Sequence, residues 1–348
     1  MVCERTFFLS RTAVVVLASW LAFGNLVSAQ SPTAKPAPPA KPAGDQVAAV
    51  EAMLETIDPY RPEAEANATI QVFGSTAMDA LAHGWVNGFT QFHKGAKVEI
   101  SAANSSEAFD RLAKQPTGIA MLSRPVKSEE LESLKMQGLK QPVAFEVARE
   151  ALGVFVHSSN PANTISGEQL RKVFTAESDH EKLTWSVLGA TGAWASQPMK
   201  VISRTPTSGT QMFLQDFVFN GLKLRDGVSE HVSNADVVSA VAKDPQAIGI
   251  CGLRCGATTA KPLQLTVGAS VVPSDDHAIL SGQYPLTRPL SLVIDLGQKS
   301  PAAMASQEYV RYALCRAGQQ QSILAGYYPV DLPLLRAGLQ RLGNQQFR

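Results

Sequence analysis

Arg204-Thr205-Pro206-Thr207-Ser208-Gly209-Thr210 joins an apolar run at 199–203 to a helical pattern carrying Gln211, Phe213, Phe217 and Val218. A second hydroxyl-rich turn, Gly74-Ser75-Thr76, follows the apolar run Thr69-Ile70-Gln71-Val72-Phe73. After it, Met78, Leu81, Trp85, Phe89 and Phe92 recur at helical spacing. A helix start leaves backbone N–H groups free and carries the positive end of the helix dipole, so it holds an anion well. Hydroxyl side chains add donors, and a guanidinium adds a fixed charge in fork geometry. Two such helix starts and one arginine predict a small oxyanion gripped between distant parts of the chain.

Working outward, short apolar runs alternate with helical patterns. Strands are expected at 97–102, 118–122, 143–147, 152–156 and 247–253. Ser105-Ser106 is read as opening a helix with Phe109 and Leu112 on its apolar side, and Ser128 as capping another. Helices at 307–317 and 319–324 are expected to part at Gly318. The β-α-β-α rhythm predicts an α/β fold with parallel sheets. In such folds anions sit at the carboxyl ends of strands, which is where Thr76, Ser105, Ser123 and Ser208 fall.

With 348 residues, 45% hydrophobic and 18% charged, the chain is long enough for two medium globular domains. A formal net charge of +1 and the lack of a basic run argue against nucleic acid as a partner. The 6 histidines show no ligand-type spacing, so no metal and no cofactor is expected. No Gly-x-Ser-x-Gly elbow and no serine with an evident base point to an enzyme.

Arg5 and Arg11 with the apolar run 12–23 and Val27-Ser28-Ala29 read as a secretory signal peptide over 1–29, cut after Ala29. The run is short for a membrane span, and no cysteine follows it closely, so no lipoprotein is expected. Residues 30–66 read as a Pro/Ala-rich linker and mobile N-terminal segment. Cleavage removes Cys3 and leaves Cys251, Cys255 and Cys315. These are read as buried thiols, with a Cys251–Cys255 bridge as the alternative.

Several stretches stand in an order that carries a resemblance. They are Gly74-Ser75-Thr76, Ile119 through Ser123-Arg124-Pro125, Asn160-Pro161 through Phe174 and Trp185 through Gly189. Arg204 to Thr210, Ser233-Asn234-Ala235 through Gly249, Tyr284 through Arg288-Pro289 and Gly318 through Pro329 follow. From about Thr69 to Leu342 the chain resembles the periplasmic phosphate-binding proteins that feed phosphate ABC transporters.

The resemblance implies an α/β, two-lobed type II periplasmic-binding-protein fold, with mostly parallel sheets flanked by helices. Lobe I would take 67–152 and 284–348, and lobe II 153–283, joined by crossover hinge strands near Leu152 and Tyr284. The ligand set it implies is the Thr76 hydroxyl, the Ala77 N–H, Ser105, Arg204, Ser208, the Gly209 N–H and Thr210, and Ser123 is read as a further ligand or as a turn residue. It also implies a non-enzymatic, monomeric periplasmic protein that takes inorganic phosphate to an ABC permease in the inner membrane.

Three positions depart from the family pattern. Ser123 stands where an aspartate is common, Pro206 where an acid that orients the arginine is common, and Asn104 where a glycine is expected. Serine accepts or donates, so it discriminates less between oxyanions by charge. Sulfate, arsenate, or a non-transport scaffold or sensor role remain as alternatives. Arg124 is read as a second cation of the site or as a salt-bridge residue, and Arg288 as a brace of the hinge.

Overall fold

The computed structural model describes residues 54–178, 183–255 and 259–343, all within one compact unit, Gly44–Arg348. The expected signal peptide and most of the linker lie outside the described residues.

The strands are β1 (Thr69–Gly74), β2 (Lys97–Ala102), β3 (Ile119–Leu122), β4 (Pro142–His157), β5 (Thr164–Ser166) and β6 (Lys200–Arg204). They continue as β7 (Ser229–His231), β8 (Ala247–Gly252), β9 (Ala260–Pro262), β10 (Gln264–Val267), β11 (Ser270–Val272) and β12 (Thr287–Asp295). The main sheet runs β2-β1-β3-β12-β4-β8-β6-β7, with β9 also on β4, and β11-β10-β5 form a small second sheet. The outer pairs of the main sheet, β1 with β2 and β3, and β6 with β7 and β8, are parallel, as their helical crossovers require. Its middle is antiparallel, because β12 pairs with β3 and β4, and β4 with β8. The sheet is therefore mixed rather than mostly parallel. The reason is β4: the two strands expected at 143–147 and 152–156 are one strand of 16 residues. Its first part pairs with β12 and its last part with β8.

Helices flank the sheet and close its cores. One core gathers residues from 54 to 148 and from 290 to 342, including Trp85, Phe89, Tyr309 and Tyr312. Trp85 also donates its indole N–H to the Gly318 carbonyl at 2.9 Å, joining the helices Asp79–Phe92 and Arg316–Leu324. A second core gathers residues from Ala151 to Leu286 with Tyr328, around Phe174, Trp185 and Phe219. Removing each large apolar side chain from water contributes about 1.5–3 kcal/mol. β4 and β12 are shared by both ends of this arrangement, so residues near 150 and 288 sit where the two cores meet.

Several local expectations change. The C-terminal helices part at Cys315, whose backbone is extended, and Gly318 lies inside the second of them. Ser128 is the first residue of its helix; Lys127 is the cap, and its N–H donates to Glu130 Oε2 at 2.8 Å. Leu54, Ile57, Tyr60 and Ala66 pack into the first core, so the described end of the segment expected to be mobile is docked. Cys251 and Cys255 are free thiols. Cys251 lies on β8 with its side chain in the core, whereas Cys255 is exposed in the turn beyond it.

Candidate functional site

Gly74 ends β1 at φ +127°, and an added Cβ would come 2.3 Å from the Met121 carbonyl oxygen, so only glycine fits. This tight exit presents Ser75, whose hydroxyl caps the 3-10 turn Thr76–Met78 by accepting from the Ala77 N–H at 3.2 Å. The α-helix proper begins only at Asp79. Thr76 is thus the first residue of the turn, with Ser75 as its cap. The Ala77 N–H, expected to face a ligand, is engaged by Ser75, and the Ala77 carbonyl accepts from the Tyr327 hydroxyl.

Ser105 precedes its helix, Ala108–Lys114, instead of opening it. The loop is closed by Asn104, whose Oδ1 accepts from the Glu107 N–H at 2.9 Å and from the Ser106 hydroxyl at 2.8 Å. Ser123 follows β3 and its hydroxyl lies 2.7 Å from that of Ser75. Ser105 is 0% exposed, and its hydroxyl has no hydrogen-bond partner among the described residues.

On the other side, β6 delivers Arg204, and the turn after it ends at Ser208. The Ser208 hydroxyl accepts from the Gln211 N–H at 3.1 Å and caps the helix Gly209–Phe213. A Cβ on Gly209 would lie 2.1 Å from Ser123 Oγ and 2.6 Å from Ser105 Oγ. The two hydroxyl-rich walls therefore meet at Gly209. Lys127 and Asp216 pair nearby at 2.6 Å.

Arg204 is 1% exposed. Its Nη2 donates to Thr76 Oγ1 at 2.9 Å and to the Val232 carbonyl, its Nη1 to Asn234 Oδ1 at 2.5 Å, and its Nε to the His231 carbonyl at 3.3 Å. Burial, and next the positive charge of Arg288, hold its pKa below the usual arginine value. The cation is thus held in an environment that favours a nearby anion.

Arg288 is fully buried and belongs to the same cluster. Its Nη2 donates to Thr210 Oγ1 at 2.7 Å and to Glu150 Oε2 at 2.5 Å, and its Nη1 to the Ser123 carbonyl at 2.7 Å. Arg124 instead turns away and forms a two-pronged pair with Glu130, at 2.8 and 2.6 Å.

The predicted residues Thr76, Ser105, Ser123, Arg204, Ser208, Gly209 and Thr210 are thus brought into one linked cluster, with Ala77 beside it. Beside them stand Ser75, Glu150 and Asn234, which the sequence does not single out as site residues, and Arg288, which it reads as a brace of the hinge. The one signal for Glu150 is a carboxylate set between two apolar runs, which needs a partner if it is buried, because burial of an unpaired charge is costly.

The chain is similar to known proteins in sequence and in fold. The chain is 27% identical over 300 residues to the phosphate-binding protein PstS of Pseudomonas aeruginosa, covering 83% of this chain and 93% of that protein. It is 25% identical over 303 residues to protein SphX of Synechococcus elongatus, covering 85% and 88% of the two. Its fold is similar to that of an ABC-type phosphate transport receptor from Vibrio cholerae, with a TM-score of 0.61 at 18% identity, over 76% of this chain and 100% of that one. The family model for the PBP superfamily domain matches residues 60–317. A match over most of the chain, on a fold of the same kind, shows that the protein belongs to the PBP superfamily domain family.

Proposed function

We propose that the protein is an extracytoplasmic solute-binding protein that captures inorganic phosphate between two lobes and delivers it to an ABC permease. The observation that carries this reading is a charge imbalance in a dry site. Two buried guanidiniums, Arg204 and Arg288, face one buried carboxylate, Glu150, at a point where two hydroxyl-rich turns converge. Such a site selects an anion with many acceptor atoms. The ligand set is the Thr76, Ser105, Ser123, Ser208 and Thr210 hydroxyls, the Ala77 and Gly209 N–H groups and Arg204. The Ala77 N–H would exchange its bond to Ser75 for one to the ligand.

In this reading 67–152 with 284–348 and 153–283 are the lobes. β4 and β12 are the hinge strands, and opening parts Gly209 from Ser105 and Ser123. The protein acts as a periplasmic monomer without catalytic chemistry, released after cleavage of 1–29. Its likeness to phosphate-binding relatives supports the ligand class and the transport role.

One observation keeps a second ligand class in view. Ser123 offers a hydroxyl already bonded to Ser75, and Glu150 is held by Arg288 and Asn234. With no free carboxylate among the described site residues to repel an unprotonated oxyanion, sulfate is a competitor. Competition between phosphate and sulfate on the mature protein at several pH values tests this. Phosphate bound far more tightly supports phosphate capture; equal binding replaces it with general oxyanion capture.

A further inference from the structure

Behind Arg204 lies a chain of polar contacts with a fixed direction. Arg204 Nη1 donates to Asn234 Oδ1 at 2.5 Å. Asn234 Nδ2 donates to Glu150 Oε1 at 3.1 Å. Glu150 Oε2 accepts from Arg288 Nε at 3.1 Å and from Nη2 at 2.5 Å. Glu150 and Arg288 are direct cross-strand partners on β4 and β12. Each end of the chain permits only one polarity. A guanidinium only donates and an ionised carboxylate only accepts. The Asn234 amide must therefore turn its NH2 to Glu150 and its oxygen to Arg204. Glu150 is 5% exposed, so its carboxylate depends on these protein donors.

Accordingly, we propose that Glu150 is a positioning residue for anion binding. Through the orientation it imposes on Asn234, it holds the Arg204 guanidinium in place for the ligand. The proposal rests on the oxyanion-binding reading of the site and goes beyond it, because Glu150 touches Arg204 only through Asn234.

The polarity argument yields a test by rescue. In Glu150→Gln the new amide keeps one oxygen for Arg288 and turns an NH2 toward Asn234. Two NH2 groups then face each other unless Asn234 flips, and flipping sets its NH2 against Arg204. Adding Asn234→Asp supplies an acceptor to both neighbours and restores the path, with the negative charge moved one residue along. Inorganic phosphate is titrated into the wild type, Glu150→Gln, Asn234→Ala and Glu150→Gln/Asn234→Asp proteins, and the crystal structures of the variants are determined.

Binding about tenfold or more weaker in Glu150→Gln and in Asn234→Ala, regained to within a few fold in the double variant, is the expected result. A general structural role for Glu150 predicts instead that the double variant is worse than either single one, and that result overturns the proposal. Should Glu150→Gln not fold, Asn234→Ala carries the same test, and undiminished binding there overturns it. If the wild type binds no phosphate, the functional reading fails. The position of Arg204 in the crystal structures then decides the proposal separately: displaced in Glu150→Gln and restored in the double variant supports it, and unmoved overturns it.

Discussion

Arg204 Nη2 lies 2.9 Å from Thr76 Oγ1, a contact between residues 128 apart in the chain. It ties the turn after β1 to the end of β6. Thr76 heads a turn beside the first core, and Arg204 ends a strand beside the second. In the proposed reading the site forms where these two regions meet, so groups that govern the meeting are expected to govern binding.

Gly209→Ala tests that directly. Gly209 opens its helix with ordinary backbone angles, so alanine suits the helix itself. Its Cβ, however, would stand 2.1 Å from Ser123 Oγ. The expected outcome is an unchanged or slightly higher unfolding midpoint, with oxyanion binding weaker by about 10- to 100-fold, the equivalent of about 1–3 kcal/mol of overpacking. Calorimetric titration together with thermal unfolding measures both, and wild-type affinity in this variant contradicts the close approach.

Ser105→Ala separates stability from binding. The buried Ser105 hydroxyl has no partner among the described residues, a condition that costs about 1–3 kcal/mol. Its removal is expected not to lower the melting temperature of the ligand-free protein, in which opening also lets water reach this hydroxyl. Phosphate binding is expected to fall about tenfold or more, because hydrogen bonds to charged groups are worth about 1.5–3 kcal/mol. A lower melting temperature contradicts the description of this hydroxyl.

Docking of residues 54–66 carries a pH dependence. His93 Nδ1 accepts from the Ala66 N–H at 3.2 Å, and Nε2 lies 2.5 Å from the Tyr60 hydroxyl, which donates to Glu308 at 2.9 Å. A second proton on the ring would face the Ala66 N–H. Burial holds the His93 pKa below its usual 6.5, against the opposing pull of Glu308 and Glu65. The folded state thus binds this proton less readily than the unfolded chain. Its contribution to stability is complete above the unfolded value and is lost as pH falls below about 6.5. Urea unfolding midpoints should be flat above about pH 7 and decline below pH 6.5, with a shallower decline in His93→Gln. An equal decline in both proteins contradicts this assignment.

Much of this was legible in the sequence, and what was not has physical causes. Strand-then-hydroxyl junctions at Gly74-Ser75-Thr76 and Arg204 to Thr210 are local, and both turned out as strand exits beside the site. Helical spacing placed Trp85 and Phe89 in the core. The continuity of β4 was hidden because Arg149 and Glu150 interrupt its apolar pattern. Their partners, Asp331 and Arg288, are 182 and 138 residues away. Asn234 was hidden for the same reason: it opens a helix, and its contacts are with side chains on two strands, 30 and 84 residues away. The exit of Ser105 from its expected helix follows from Asn104, which closes the loop with side-chain bonds no periodicity reveals.

The most direct test of the central claim is a parallel titration of inorganic phosphate into the ligand-stripped mature protein and its Arg204→Ala variant. Tight one-to-one binding to the wild type and a loss of at least about 100-fold in the variant are expected, as when a buried, charge-assisted contact is removed. Binding of similar strength in both proteins, or none to either, would contradict the claim.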